Sequence, residues 1–391
     1  MYFNYLLLLC LLSFSYGVKI FSSLSDIASG STYIRDKRSV VLEQKKRWRF
    51  PLRYYIDKGV NRSVVEEALR RFEKHTCLKF KKIRHLTTTK QVLHFQKFHV
   101  CGTFIGNYFG EKAQMLGVDS YCNQCVGAMQ YLIGYTLGMV NQQSRCDRDK
   151  YVNVYMENVL ETDVIGFKKY GKTEAENYNI GYDFGSIFQY GTKEFSKNGN
   201  FTVFPKIPLY RYMMGQRIGF SFNDYKLLNM HYCRKKMDRS AGRRLKCRNS
   251  GYPNPIKRGV CVCPNGFTGR ECNRIETDIN KCKKTRYLAR PKRQTLKLQG
   301  KKNCTFIIEA PKGRRVHLTV LRAVTHKERP CLQDSGLEIK HYKDKGSTGL
   351  CVCGMFKDFD LDSDDNKVMV IYKGTSKSDL ITLKYRSFYK R

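Results

Sequence analysis

The chain is poor in acid. Its 391 residues hold 34 aspartates and glutamates against 72 lysines and arginines, a formal net charge of +38. This excess implies attraction to polyanions such as acidic glycosaminoglycans of the matrix, or else a dispersed, solvated positive surface with no single partner. Long apolar runs are also missing. The run Leu6–Phe14, within MYFNYLLLLCLLSFSYG, falls short of the roughly 20 apolar residues a membrane span requires, and none follows later, so a membrane-spanning protein is not expected. With Ser15 and Gly17 at the small-residue positions of a cleavage site, residues 1–17 read as a signal peptide of a secreted, extracellular protein mature from about Val18. Nucleic acid is therefore not the expected polyanion. Histidine is scarce as well. The eight are His75, His85, His94, His99, His231, His317, His326 and His341, and no two have the H-x-x-x-H spacing that sets two imidazoles on one helix face. His94 and His99, five apart, read as surface or sheet residues.

Cysteine, by contrast, is abundant. Sixteen fit an oxidising compartment, and loss of Cys10 with the leader leaves fifteen, so one thiol is free or paired with another chain. Sequons at Asn61-Arg-Ser, Asn200-Phe-Thr and Asn303-Cys-Thr fit the same route and mark three candidate N-glycosylation sites.

Four parts follow the leader. Residues 18–38 are Ser-rich and end in Arg35-Asp36-Lys37-Arg38, which resembles a furin-type site; this reads as a pro-segment cleaved after Arg38, or as a charged linker. Residues 39–233 open with a strand pattern, RWRFPLRYYID. A helix pattern follows, with Val64, Val65, Ala68, Leu69 and Phe72 on one face and Asn61 or Ser63 able to cap it. Further strand patterns run to about Val100, and the mixture implies an α+β domain. Residues 234–274 contain CRNSGYPNPIKRGVCVCPNGFTGREC, too rich in Cys, Gly and Pro to build an apolar core, hence a disulfide-stapled module. Residues 282–389 carry short strand patterns throughout (TLKLQG, CTFIIEA, RRVHLTVL, LEIKHY, KVMVIYKG, LITLKYRSF), which suggests a β-sandwich.

Resemblances sharpen three of these parts. The ending C-x-C-P-x-G-F-x-G-x-x-C, Cys261–Cys272, resembles an EGF-like module, here with four cysteines where that module has six. The resemblance implies Cys247–Cys261 and Cys263–Cys272 bridges. NCTFIIEAPKGRRVHLTV, the C-x-x-x-x-G-x-E-I of Cys331–Ile339 and the closing LKYR resemble a CUB domain. That implies a Cys282–Cys304 bridge and a second from Cys331 to Cys351 or Cys353, the remaining one being the odd thiol. Asp334 is then either a calcium ligand or an ordinary turn residue.

The stretch MQYLIGYTLGMVNQQSRCDRD, Met129–Asp149, carries the strongest resemblance. Together with Cys101-Gly-Thr-Phe-Ile-Gly, the Tyr182–Gly191 segment, Gly215-Gln216-Arg217, Asp224, Asn229, Tyr232 and Cys233, it resembles the astacin family of zinc metalloproteases, of the metzincin clan. The resemblance implies a metzincin-type fold over 39–233 and Cys77–Cys233 and Cys101–Cys122 bridges. Cys125 and Cys146 lie outside the family pattern and are expected to add a further bridge. In the family the stretch reads H-E-x-x-H-x-x-G-x-x-H-E; three imidazoles hold zinc, the metal acidifies a water, and the Glu takes its proton. Gly138, Arg145 and Asp147-Arg148-Asp149 fix the register, and the ligand positions then hold Tyr131, Tyr135 and Asn141, with Leu132 in place of the general base.

The surrounding residues have changed too. Phe188 and Gln189 stand in the Met-turn, where Tyr190 alone remains; Gln142 follows the third ligand position; and the pro-segment's zinc-blocking motif is reduced to Ser23-Leu24-Ser25-Asp26-Ile27. Tyr131 and Tyr135 lie one helical turn apart with Phe188 expected beneath, so aromatic packing is expected to fill the locus. The expectation is a secreted pseudoprotease with no cofactor, acting by binding extracellular proteins, peptides or matrix. Its rivals are an active zinc endopeptidase with non-standard ligands, and a product that scarcely folds.

Overall fold

The computed structural model describes residues 18–20, 47–171, 176–242, 244–282 and 284–389. The expected leader (1–17), the basic site at Arg35–Arg38 and the Ser23–Ile27 motif lie outside the described residues. Two compact units divide the chain, one ending at Tyr178 and resuming over Ser186–Arg234, the other taking Asn179–Gly185 and Lys235 onward.

The N-terminal unit is built on a six-stranded sheet. Its strands are β1 (Lys19–Ile20), β2 (Leu52–Ile56), β3 (Phe80–Lys82), β4 (Val92–Lys97), β5 (Gly102–Thr103) and β6 (Ala113–Val118), in the order β1-β5-β6-β4-β2-β3. The pairs β2–β3, β2–β4 and β4–β6 run parallel, and β5 turns back antiparallel on β6. Strand β1 runs parallel to β5, with Lys19 ion-paired to Asp163 at 3.6 Å.

Three helices pack in this unit. In α1 (Arg62–His75) the Asn61 side chain accepts from Ser63 N, and the stripe Val64, Val65, Ala68, Leu69 and Phe72 is buried. Helix α2 (Val126–Thr136) contains no charged residue and is buried from Gly127 to Thr136, all the way round, as a core helix must be. It stops where Gly138 takes a φ of +93°, a left-handed conformation that glycine adopts at no steric cost. Two carbonyls at its end are met by Trp48 Nε1, 2.6 Å from Thr136 O, and Tyr232 OH, 2.9 Å from Leu137 O. Helix α3 (Phe222–Tyr232) starts with a reciprocal capping box between Ser221 and Asp224. A short antiparallel pair, β7 (Val152–Val154) and β8 (Val203–Pro205), completes the regular structure.

The C-terminal unit contains a stapled module and a β-sandwich. Two small hairpins, β9 (Tyr252–Pro253) with β10 (Cys261–Val262) and β11 (Phe267–Thr268) with β12 (Arg274–Ile275), are cross-linked by Cys247–Cys261 and Cys263–Cys272. The sandwich strands are β13 (Arg286–Leu288), β14 (Gln294–Gln299), β15 (Asn303–Glu309), β16 (Arg314–Val324), β17 (Gly336–Lys340), β18 (Leu350–Val352), β19 (Met355–Asp362), β20 (Lys367–Lys373) and β21 (Leu380–Tyr389). One sheet has the order β13-β15-β20-β17-β18 and the other β14-β21-β16-β19. Phe267 and Cys272 of the module pack on Ile307, Met369 and Ile371, so module and sandwich share a small core. Gly266 makes this approach possible, since a Cβ there would sit 2.6 Å from Met369 Sδ. Asn179–Gly185, expected to belong wholly to the 39–233 domain, instead hydrogen-bonds within this unit: Gly181 N donates to Asp344 Oδ2 and Thr348 N to Asp183 Oδ1.

Bridges join Cys77 to Cys233, Cys101 to Cys122, Cys282 to Cys304 and Cys331 to Cys353; Cys351 is buried and lies in none of them. The expected Cys125–Cys146 bridge does not form. Cys125 sits at the N-cap of α2 with its sulfur 3.6 Å from Arg217 O and is engaged in a different disulfide. Cys146 follows the turn beyond the far end of this 11-residue helix, about 16 Å long, and is a free, half-buried thiol.

Candidate functional site

Tyr131 and Tyr135 are stacked by the pitch of α2, their ring centroids 4.6 Å apart. Phe188 meets both rings edge-on at 4.8 and 5.5 Å. It can do so because position 134 is glycine, where a Cβ would lie 2.5 Å from Phe188 Cζ. Tyr131, Leu132, Tyr135 and Phe188 have no exposed surface, and Asn141 has 1%. Aromatic packing therefore fills the locus.

The polar ends of these side chains satisfy one another. Tyr131 OH lies 2.7 Å from Tyr135 OH, and the Asn141 Oδ1 acceptor is 2.8 Å from the first and 2.5 Å from the second. Tyr190 is buried beside Tyr135, each phenol influencing the other's ionisation. Asn141 Nδ2, Gln143 Nε2 and Ser144 Oγ all donate to Gly166 O at 2.9–3.1 Å, which pins the Glu161–Phe167 segment against the site. Gly166 is required there, since a Cβ would fall 2.6 Å from Tyr190 OH.

One charge is buried in the same place. The Arg217 guanidinium stands 4.6 Å over the Tyr131 ring and forms a two-point ion pair with Glu194 at 2.7 and 2.9 Å. Its other nitrogen donates to Ile187 O and Gln189 O. Burial drives the phenols of Tyr131, Tyr135 and Tyr190 well above their ordinary pKa, so they are protonated at neutral pH. Desolvation is the largest single influence on Arg217 and opposes its charge, but Glu194 together with the neighbouring tyrosines outweighs it, and the guanidinium stays charged.

This donor set does not fit zinc. A phenol binds the metal only as phenolate, which burial here disfavours; Asn141 offers a neutral oxygen already committed to two hydroxyls; and a guanidinium close by repels a dication. Leu132 has no proton-accepting atom. Four of the histidines are engaged with other groups: His75 stacks on Tyr225, His94 reaches Asp57 at 3.0 Å, His99 packs on Phe98, and His231 lies 3.0 Å from Tyr178 OH. Among the described residues, the one cluster with metal-ligand spacing is Cys101, Asp119 and Cys122, but its two sulfurs are joined as a disulfide.

Residues 40–233 match the model of the Astacin peptidase family. They form an astacin domain. Residues 284–384 match the CUB domain model. Among curated relatives, "Zinc metalloproteinase nas-34" of Caenorhabditis elegans is 31% identical over 347 residues, covering 88% of this chain and 56% of the relative. "Zinc metalloproteinase dpy-31" of Brugia malayi is 30% identical over 335 residues, covering 82% and 55%. The chain thus spans about half the length of these curated relatives. Among solved structures, High choriolytic enzyme 1, a hatching enzyme zinc-protease from Oryzias latipes, is 24% identical with a TM-score of 0.43, covering 52% of this chain and 98% of that one.

Within the astacin domain the structure brings Tyr131, Tyr135, Asn141 and Tyr190 into one network and leaves Leu132 outside it. Asp334, the calcium candidate of the CUB domain, is ion-paired to Lys373. Arg217, Glu194 and the Gly166 carbonyl complete the astacin-domain network, and none of the three is marked as a site residue by the sequence. Arg217 belongs to the Gly215-Gln216-Arg217 motif, but no local signal ties Glu194 to it.

Proposed function

We propose that this astacin-domain protein is a pseudoprotease, secreted and acting by binding extracellular proteins, peptides or acidic matrix polysaccharides. The observation that carries the reading is the closed hydrogen-bond network of Tyr131, Tyr135 and Asn141 at the zinc-ligand positions, protonated and out of contact with solvent. A protease of this type needs a metal-bound water beside a carboxylate, and neither a ligand set nor that base is present. Secretion is supported by the disulfides and by sequon asparagines that are exposed at Asn61, Asn200 and Asn303, available to carry glycans. No helix among the described residues is long and apolar enough to cross a membrane. The CUB sandwich and the net charge of +38 supply the binding surfaces.

The test is direct. Secreted protein is analysed for zinc by elemental analysis and incubated with a denatured protein substrate, with and without chelator. The expected outcome is less than a tenth of an equivalent of zinc (~0.1) and no cleavage. Stoichiometric zinc with chelator-sensitive cleavage overturns the proposal.

A further inference from the structure

The two sheets of the CUB sandwich present different outer faces. That of the five-stranded sheet is packed under the stapled module by Phe267 and Cys272. That of the four-stranded sheet keeps Lys297, Arg322 and Lys357 exposed. Alternation along the strands sends Val316, Leu318, Ile381, Leu383 and Tyr385 inward and the intervening side chains outward.

Register then sets the outward residues in rows. Lys297, Thr382, Arg322 and Lys357 stand side by side across β14, β21, β16 and β19. The next row is Thr295, Lys384, Thr319 and Asp360; beyond it Arg386 is opposite His317, which faces Asp362. Neighbours in a row are about 4.8 Å apart and the rows about 7 Å apart, so the basic area extends roughly 14 Å each way. Asp360 and Asp362 close one corner, both engaged by His317 at 3.7 and 2.7 Å.

Two observations bear on these cations. In the same unit Lys340, Lys345, Lys367, Lys373 and Arg286 each reach a carboxylate, whereas others such as Lys292, Lys312 and Lys377 do not among the described residues, so it is the alignment in rows that distinguishes the sheet face. The charged groups of Lys297, Arg322, Lys357, Lys384 and Arg386 have no hydrogen bond or ion pair among the described residues, and Arg386 Nε is buried without a partner. Secondly, Arg322 and Lys357 are directly opposed, a like-charge pairing that destabilises a sheet unless an anion lies over it.

We propose that this face binds a linear sulfated polysaccharide. Repeated cations over a broad flat surface suit a ligand of repeated charge better than a single headgroup, and Thr295, Thr319 and Thr382 offer hydroxyls to sulfate oxygens between them. The inference locates the polyanion-binding part of the proposed function and is independent of whether zinc is bound.

The probe is a heparin oligosaccharide, with affinity measured over a series of salt concentrations on the full chain. Replacing Arg322, Lys357 and Lys384 together by Ser is expected to reduce the slope of log affinity against log salt by about 2–3 and to weaken binding at physiological salt by about tenfold or more. A control with Lys58, Lys90 and Lys206 replaced by Ser removes the same charge from exposed positions of the other unit and is expected to stay within about twofold of the parent. Equal losses in the two variants leave a diffuse polyanion attraction and overturn the located site. So does absence of binding by the parent, or tighter binding to phosphatidylserine vesicles than to the oligosaccharide.

Discussion

The locus of the family's zinc-ligand positions and the outer face of the four-stranded CUB sheet treat polar groups in opposite ways. At the locus the Tyr131 and Tyr135 phenols, the Asn141 amide and the Arg217 guanidinium are buried and matched to a partner, the last to half-buried Glu194. On the sheet face five cations stand in rows with none among the described residues. A satisfied buried network has no bonding capacity left for a ligand, and its perturbation is read as stability. Unpaired surface cations contribute little to stability and retain all their capacity for an anion. In this chain buried, mutually bonded residues occupy the place where the family's chemistry is sited, and the unmatched cations of the sheet face lie elsewhere.

The strongest way to break the comparison is Arg217→Met. It leaves the half-buried Glu194 carboxylate with Gly191 N as its one remaining partner among the described residues and removes the cation from the Tyr131 face. Loss of one member of a buried pair costs about 3–5 kcal/mol, measurable by urea denaturation. A change below 1 kcal/mol (~1) shows that the pair is not the interior anchor described.

Acid tests the interior by another route. Burial and the nearby Arg47 lower the His231 pKa to about 4, against an ordinary value of 6.5. Below about 6.5 the unfolded chain takes up a proton that the folded chain refuses until about 4, so stability is full above that window and falls as pH drops through it. The loss amounts to up to about 3 kcal/mol. His231→Gln should flatten the profile between these limits; an unchanged profile removes His231 as its cause.

How much of this was legible in the sequence differs between the two regions. Gly138, Arg145 and Asp147–Asp149 fixed the register of the locus, so Tyr131, Tyr135, Asn141 and Phe188 could be placed together from spacing and resemblance. Arg217 and Glu194 could not, because a buried pair between residues 23 apart in irregular chain leaves no periodicity to read. The Cys125–Cys146 expectation failed for a related reason, since cysteine number says nothing about which ends of a helix they occupy. The sandwich strands were visible as alternating patterns, but the basic rows were not: Lys297, Arg322, Lys357 and Lys384 lie on four separate strands, and pairing register alone aligns them.

The smallest expected effects sharpen the contrast most finely. Tyr131→Phe and Tyr135→Phe each remove one hydroxyl from a network in which two phenol protons serve three short oxygen–oxygen contacts. Each variant should cost about 1–2 kcal/mol, because a buried oxygen loses a donor that water cannot replace. The double variant should cost less than the sum by about 0.5 kcal/mol or more, since the second removal also deletes the group that the first left unsatisfied. Arg322→Ser on the sheet face has no such coupling and should change stability by no more than about 0.5 kcal/mol, or raise it slightly by relieving the opposition to Lys357. Additive tyrosine effects combined with a large loss at Arg322 would invert the comparison, making the sheet face part of the fold's stability and the locus a set of independent side chains.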